Sequence, residues 1–158
     1  MTRDQMIAYL RAANAVAHEA VAHGHHPFGA ILVSPDDRIL MRQVNLDVVR
    51  HAETELARRA AATYTPDYLW RSTLVTTFEP CAMCAGTIYW ANIGHVIYGV
   101  EEIKLLALTG ESKANPTLSL PSRTVLFSGQ KTIEVYGPFP EVEDELIEPH
   151  REFWSTHT

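Results

Sequence analysis

The order of segments predicts an α/β protein, a three-layer αβα sandwich built on a mixed five-stranded sheet with helices on both faces. Three observations carry that expectation. Segments with apolar residues at three- and four-residue steps alternate along the chain with short, β-branched apolar runs. Two of those runs are joined by a turn sequence and read as a hairpin. From Ser72 to Val100 the order strand, helix, strand makes a βαβ unit, in which a right-handed crossover is expected. With 158 residues and 46% apolar content, one domain spanning 1–158 with a single core is expected; a chain of this size buries roughly 70% of the surface its unfolded form exposes.

From Arg3 to His23 the residues Met6, Ile7, Leu10, Ala13, Val16, Ala17, Ala20 and Val21 form one apolar stripe of a helix that Gly24 ends. His23, His25 and His26 then fall at a helix C-terminus and in a loop, where polar or positive groups are favourable. Phe28 to Ser34 and Arg38 to Val44 are the hairpin strands, and Pro35 pre-sets a dihedral of the turn Ser34-Pro35-Asp36-Asp37. A helix covers His51 to Ala62, and the β-branched density of Ser72 to Thr77 marks a buried strand. A second helix from Pro80 to about Ala91 leads into the strand His95 to Val100. Glu101 to Thr109 reads as a short helix and Gly110 to Ser122, with two prolines, as a loop near the surface or over a site. Thr132 to Tyr136 is the last strand, and Gly137-Pro138-Phe139-Pro140 separates it from an acidic helix running from about Glu141 to Trp154.

Charge and cysteine usage narrow the partners. The formal net charge is −6, and a protein that neutralises a phosphate backbone normally presents a basic face, so tight nucleic-acid binding is disfavoured outside a local patch at Arg58, Arg59 and Arg71. No apolar run approaches the roughly 20 residues that cross a bilayer, and the start Met1-Thr-Arg-Asp-Gln has no signal-peptide core behind it. Two cysteines, both spent on one motif, suit a reducing cytoplasm.

That motif is Pro80-Cys81-Ala82-Met83-Cys84, paired with His51-Ala52-Glu53. One imidazole and two thiolates fill three corners of a tetrahedral zinc site and leave the fourth open for water, as in catalytic and not structural sites. Zinc brings the pKa of a bound water down to roughly 7. Glu53 is then free to move protons. If His51 opens its helix, Glu53 lies in the first turn, where a carboxylate is favoured. Pro80 suits the first position of the second helix, which puts Cys81 and Cys84 on one face at a helix N-terminus, where thiolates are stabilised. The cysteine pair taken alone also fits a dithiol redox motif or half of a structural zinc site. The signature H-x-E followed by P-C-x-x-C is that of zinc-dependent nucleobase deaminases.

The chain resembles the cytidine deaminase superfamily, in the branch of guanine, tRNA adenosine and fungal cytosine deaminases. The matching stretches are Pro27-Phe28-Gly29-Ala30, His51-Ala52-Glu53, and Glu79-Pro80-Cys81-Ala82-Met83-Cys84 through Ala91, within roughly Met6 to Val100. The segment from Asn45 to His51 is shorter than in most members. The resemblance implies one zinc ion per subunit held by His51, Cys81 and Cys84, with Glu53 carrying a proton from water to the ring nitrogen and then to departing ammonia. It implies substrate contacts at Phe28, Asn45, Ala52 and Trp154; Phe28 reads equally well as a core anchor. A second acidic group, as in guanine deaminases, is expected at Glu111, with Glu101 and Glu102 next. The aromatic run Ile88-Tyr89-Trp90-Ala91 with Phe28 favours guanine as substrate. Cytosine or another pyrimidine or triazine base, its pocket closed by Phe153 and Trp154, is the alternative, and a tRNA adenosine ranks third because the tail is acidic. A homodimer using Tyr89, Trp90 and the cysteine helix is also implied.

Overall fold

A computed structural model describes residues 1–157; the final residue of the expected domain, Thr158, lies outside them. Helix α1 (Arg3–Ala22) starts at a capping box, Thr2 accepting from the Gln5 amide and Gln5 reaching back to the Thr2 amide. Gly24 follows it with φ +81°, a conformation that glycine adopts without strain. Strands β1 (Gly29–Val33) and β2 (Ile39–Val44) form the expected antiparallel hairpin, with Ala30 opposite Gln43 and Leu32 opposite Met41. Then come α2 (Ala52–Thr63), α3 (Pro66–Trp70), β3 (Thr73–Phe78), α4 (Ala82–Ala91), β4 (His95–Val100), α5 (Glu102–Thr109), α6 (Ser122–Leu126) and β5 (Glu134–Tyr136).

The sheet order is β2-β1-β3-β4-β5. Strand β1 pairs antiparallel with β2 and β3, whereas β3, β4 and β5 are mutually parallel, so the sheet is mixed and the βαβ unit β3-α4-β4 is present. Alternate strand residues point to opposite faces, and both faces are covered. Ala30, Leu32, Leu74 and Val96 pack beneath Leu56, Ala57 and Ala60 of α2 and Ala85 and Ile88 of α4. Ile31, Val33, Val75 and Ile97 pack against Leu10, Ala13 and Val16 of α1, Leu105 of α5 and Leu146. Gly29 lets α1 sit directly on the sheet: a Cβ there would lie 2.5 Å from the Ala17 amide nitrogen and 2.6 Å from the Ala13 carbonyl oxygen.

Four expectations need correction. Pro80 lies outside its helix, since Cys81 is the cap and Ala82 the first helical residue. The acidic C-terminal helix is broken into a 3-10 turn at Pro140–Val142, α7 (Glu143–Ile147), a second turn at Glu148–His150 and α8 (Phe153–Thr156); Pro149 offers no N–H to continue the ladder. The short helices α3 and α6 stand where no helix was expected, although Thr65-Pro66 is a cap followed by proline at the first position. The last strand is only three residues long. Among the described residues no helix is long and apolar enough to cross a membrane.

Candidate active site

The C-terminal ends of the parallel strands β3 and β4 and the N-termini of α2, α4 and α5 surround one recess, lined by Phe28, Asn45, His51, Glu53, Phe78, Glu79, Cys81, Glu102, Leu105 and Asn115. Open α/β sheets bind ligands at that end. The recess is narrow, spanning about 320 Å³ only when its open mouth is included.

His51 and Cys81 are the N-caps of α2 and α4, and Cys84 lies in the first turn of α4. Their ligand atoms all lie within 4.8 Å of one another, and no fourth His, Cys, Asp or Glu among the described residues joins the group. Tetrahedral zinc with bonds of about 2.3 Å to sulfur and about 2.0–2.1 Å to nitrogen needs sulfur–nitrogen edges of about 3.6 Å. His51 Nδ1 is 3.6 Å from the Cys81 sulfur and 3.6 Å from the Cys84 sulfur. His51 Nε2 lies 2.9 Å from the Val48 carbonyl oxygen. With Nε2 as the donor, the Nδ1 lone pair faces the sulfurs, the orienting bond that metal-bound histidines commonly have. The donor set therefore fits zinc.

Surrounding bonds tune these donors. The Thr54 hydroxyl donates to the Cys84 sulfur at 3.1 Å. Without metal, the Cys84 thiol donating to it, and then His51, hold Cys81 well below the ordinary thiol value against the cost of burial. The Cys81 contact and burial push Cys84 up. His51 is raised to about 9, first by its bond to Cys81. These protons are what a bound cation displaces.

Glu53 is buried in the first turn of α2 and accepts from the Thr76 hydroxyl at 2.6 Å on Oε1. Burial raises its pKa, opposed by that bond. Glu79 has a different task. Its Oε1 accepts from the Glu102 amide and its Oε2 from the Ser122 amide and hydroxyl, at 2.8–3.0 Å, so it ties the starts of α5 and α6 together. On the other side, Asn45 donates from Nδ2 to the Asp47 carbonyl, and its amide donates to the Phe28 carbonyl. The short loop to His51 is stapled by Asp47, whose carboxylate accepts from the Val49 and Arg50 amides and the Arg50 guanidinium. Asn45 therefore lines the recess despite that short loop.

Of the expected substrate contacts, Phe28 and Asn45 line the recess and Ala52 and Trp154 do not. Ala52 is fully buried in the core with Leu56 and Ala85. Trp154 donates from Nε1 to His150 Nδ1 at 3.0 Å, and it packs behind Phe28 at a ring distance of 6.1 Å. Glu111 is exposed beyond α5, whereas Glu102 lines the recess together with Glu53 and Glu79. Tyr89 and Trp90 lie elsewhere, around a separate groove with Gly86, Val125, Ser128 and Gly129. Residues with no sequence signal are Thr54, Thr76, Phe78 and Asn115; Asn115 reaches the site because the loop after α5 folds back over it. Buried His150, 4.4 Å ring to ring from Phe78 and 5.1 Å from Phe28, backs the aromatic wall.

Residues 3–100 match the family model for the cytidine and deoxycytidylate deaminase zinc-binding region. The chain belongs to this family of zinc-dependent hydrolytic deaminases. It is 41% identical over 152 residues, 94% of this chain and 91% of the relative, to a probable cytosine deaminase of Schizosaccharomyces pombe. It is 34% identical over 124 residues, 72% of each chain, to a tRNA-specific adenosine deaminase of Haemophilus influenzae. A solved structure of guanine deaminase from Nitrosomonas europaea shares the fold, with TM-score 0.71 and 18% identity over 94% of this chain and 84% of that one.

Proposed function

We propose that this protein deaminates a free nucleobase, with cytosine as the first choice. The observation that carries this reading is the recess itself: small, walled by Phe28 and Phe78, and lined by three carboxyl groups with no lysine or arginine. A nucleotide or tRNA substrate needs cationic partners for its phosphates, and this site offers the opposite charge. Likeness over nearly the whole chain to a probable cytosine deaminase supports the same choice.

Zinc held by His51, Cys81 and Cys84 supplies activation of water at neutral pH. Phe28 and Phe78, packed edge to face at 6.0 Å, give the flat ring one aromatic wall, and Asn45 offers a side-chain oxygen to it. With Oε1 anchored by Thr76, Glu53 takes a proton from the attacking water on Oε2 and delivers it to the ring nitrogen beside the amine-bearing carbon. The same carboxyl then helps protonate the amine as the carbon–nitrogen bond breaks and ammonia leaves. Leu105 and Asn115 complete the lining.

Guanine, favoured by the sequence, becomes the second reading. Of the residues that favour guanine, Tyr89, Trp90 and Glu111 lie away from the recess, whereas Phe28 lines it and suits either base. A homodimer is proposed through the cysteine-helix face, where Trp90 is 80% exposed and Phe127 57% exposed. The thiol ligands suit a cytoplasmic location. Ammonia release from cytosine, isocytosine, guanine, an aminotriazine and a tRNA anticodon stem-loop tests the reading. Cytosine should be turned over fastest; turnover of the stem-loop alone overturns it.

A further inference from the structure

We propose that Glu102 is a specificity-determining residue whose carboxyl pairs with the adjacent ring N–H and C=O of a free pyrimidine base, an edge that a nucleoside lacks because that nitrogen carries the sugar. This rests on the free-base reading above and extends it to the chemical edge being read.

The three acids of the recess are not equivalent. Glu79 accepts three hydrogen bonds from backbone and Ser122, and Glu53 accepts one from Thr76 beside the metal donors. Glu102 is 6% exposed and lines the recess, yet no hydrogen bond reaches its carboxyl from any described residue; only its backbone amide is engaged, with Glu79. A carboxyl that opens onto a ligand recess and has no protein partner is free to pair with the ligand that enters. Neighbouring carboxyls do not all ionise, and the one lacking donors keeps its proton. Burial, the largest cause, pushes the Glu102 carboxyl in the same direction.

A carboxylic acid presents one donor and one acceptor side by side. Its complement is an acceptor next to a donor, which cytosine supplies at C2=O and N1–H. Alkylation of N1 removes the donor and adds bulk where Glu102 sits. Buried polar groups left unpaired make such a site reject the altered ligand far more strongly than an apolar pocket rejects an extra methyl.

The test compares zinc-loaded wild type with Glu102→Gln, Glu102→Asp and Glu102→Leu, by kcat and KM for cytosine, 1-methylcytosine and cytidine. Glutamine keeps a donor beside an acceptor, so Glu102→Gln retains the preference for cytosine over 1-methylcytosine. Glu102→Leu and Glu102→Asp, which lose the pair or withdraw it, raise KM for cytosine about 10- to 100-fold with a smaller change in kcat, and the preference falls by a similar factor. A preference unchanged in Glu102→Asp, or lost equally in Glu102→Gln, overturns the assignment while turnover of cytosine leaves the free-base reading standing. Wild type active only on the stem-loop overturns both.

Discussion

His150 is 1% exposed between Phe28, Phe78 and Trp154, and its Nδ1 accepts from the Trp154 indole. Burial lowers its pKa from 6.5 to about 3. Because the folded value lies below the unfolded one, the unfolded chain binds the extra proton; the associated stability is full above pH 6.5 and is lost as pH falls toward 3. For one such group the loss between pH 7.5 and pH 5 is about 2 kcal/mol, from 1.36 kcal/mol per pH unit below the unfolded value. His150→Gln removes the titration and keeps an acceptor for Trp154. Urea unfolding of both zinc-loaded proteins at pH 7.5, 6.5, 5.5 and 5.0 should show the variant less stable at pH 7.5, with the gap narrowing by about 2 kcal/mol at pH 5.0. Protons taken up by the zinc ligands are common to both proteins and cancel. A gap that stays constant across that range refutes the reasoning.

Glu53→Gln should lower kcat by about 10²–10⁴ while zinc per subunit, measured by elemental analysis, is unchanged; an active variant with full zinc removes the proton-shuttle role. Stripping the metal with a chelator should cost about 3 kcal/mol for zinc at a hundredfold excess over its Kd, a drop of roughly 5–10 °C in Tm for a domain of this length. An unchanged scanning-calorimetry trace would show that the three donors do not carry the ion. Gly29→Ala places a methyl within 2.6 Å of two backbone atoms of α1, so denaturant titration should show a loss of about 1–3 kcal/mol or more. Trp90→Lys puts a charge on the most exposed tryptophan of the cysteine-helix face and should shift sedimentation from dimer toward monomer, with the zinc site intact.

The recess explains why those effects separate. Its metal donors come from two helix N-termini, its proton carrier from the first turn of α2, and its aromatic wall from strand ends braced by a C-terminal segment more than seventy residues away in the chain. A change in one layer reaches the others through packing, and their hydrogen bonds are largely separate. Glu79 is the exception. It joins α5 to α6 beneath the site, so the position of Glu102 and the course of the loop carrying Asn115 depend on one carboxylate.

The metal centre and the layer order were legible because they are local. His51 and Glu53 are two residues apart, Cys81 and Cys84 lie within one helical turn, and apolar periodicity reports which face of each helix is buried. The hairpin and the βαβ unit followed from turn residues and from the spacing of strands and helix. Glu111 and Trp154 show where such reasoning stops: both are plausible by type and position, yet the loop after α5 turns Glu111 outward, and His150 holds Trp154 behind the wall. Whether a carboxyl is bonded, as in Glu79, or bare, as in Glu102, depends on contacts 23 and 43 residues apart in the chain. Short-range spacing was enough to point to zinc, to its three candidate donors and to the sheet that carries them. The lining of the substrate recess was not readable that way, because that surface is assembled from strand ends and loops whose meeting depends on how the whole core packs.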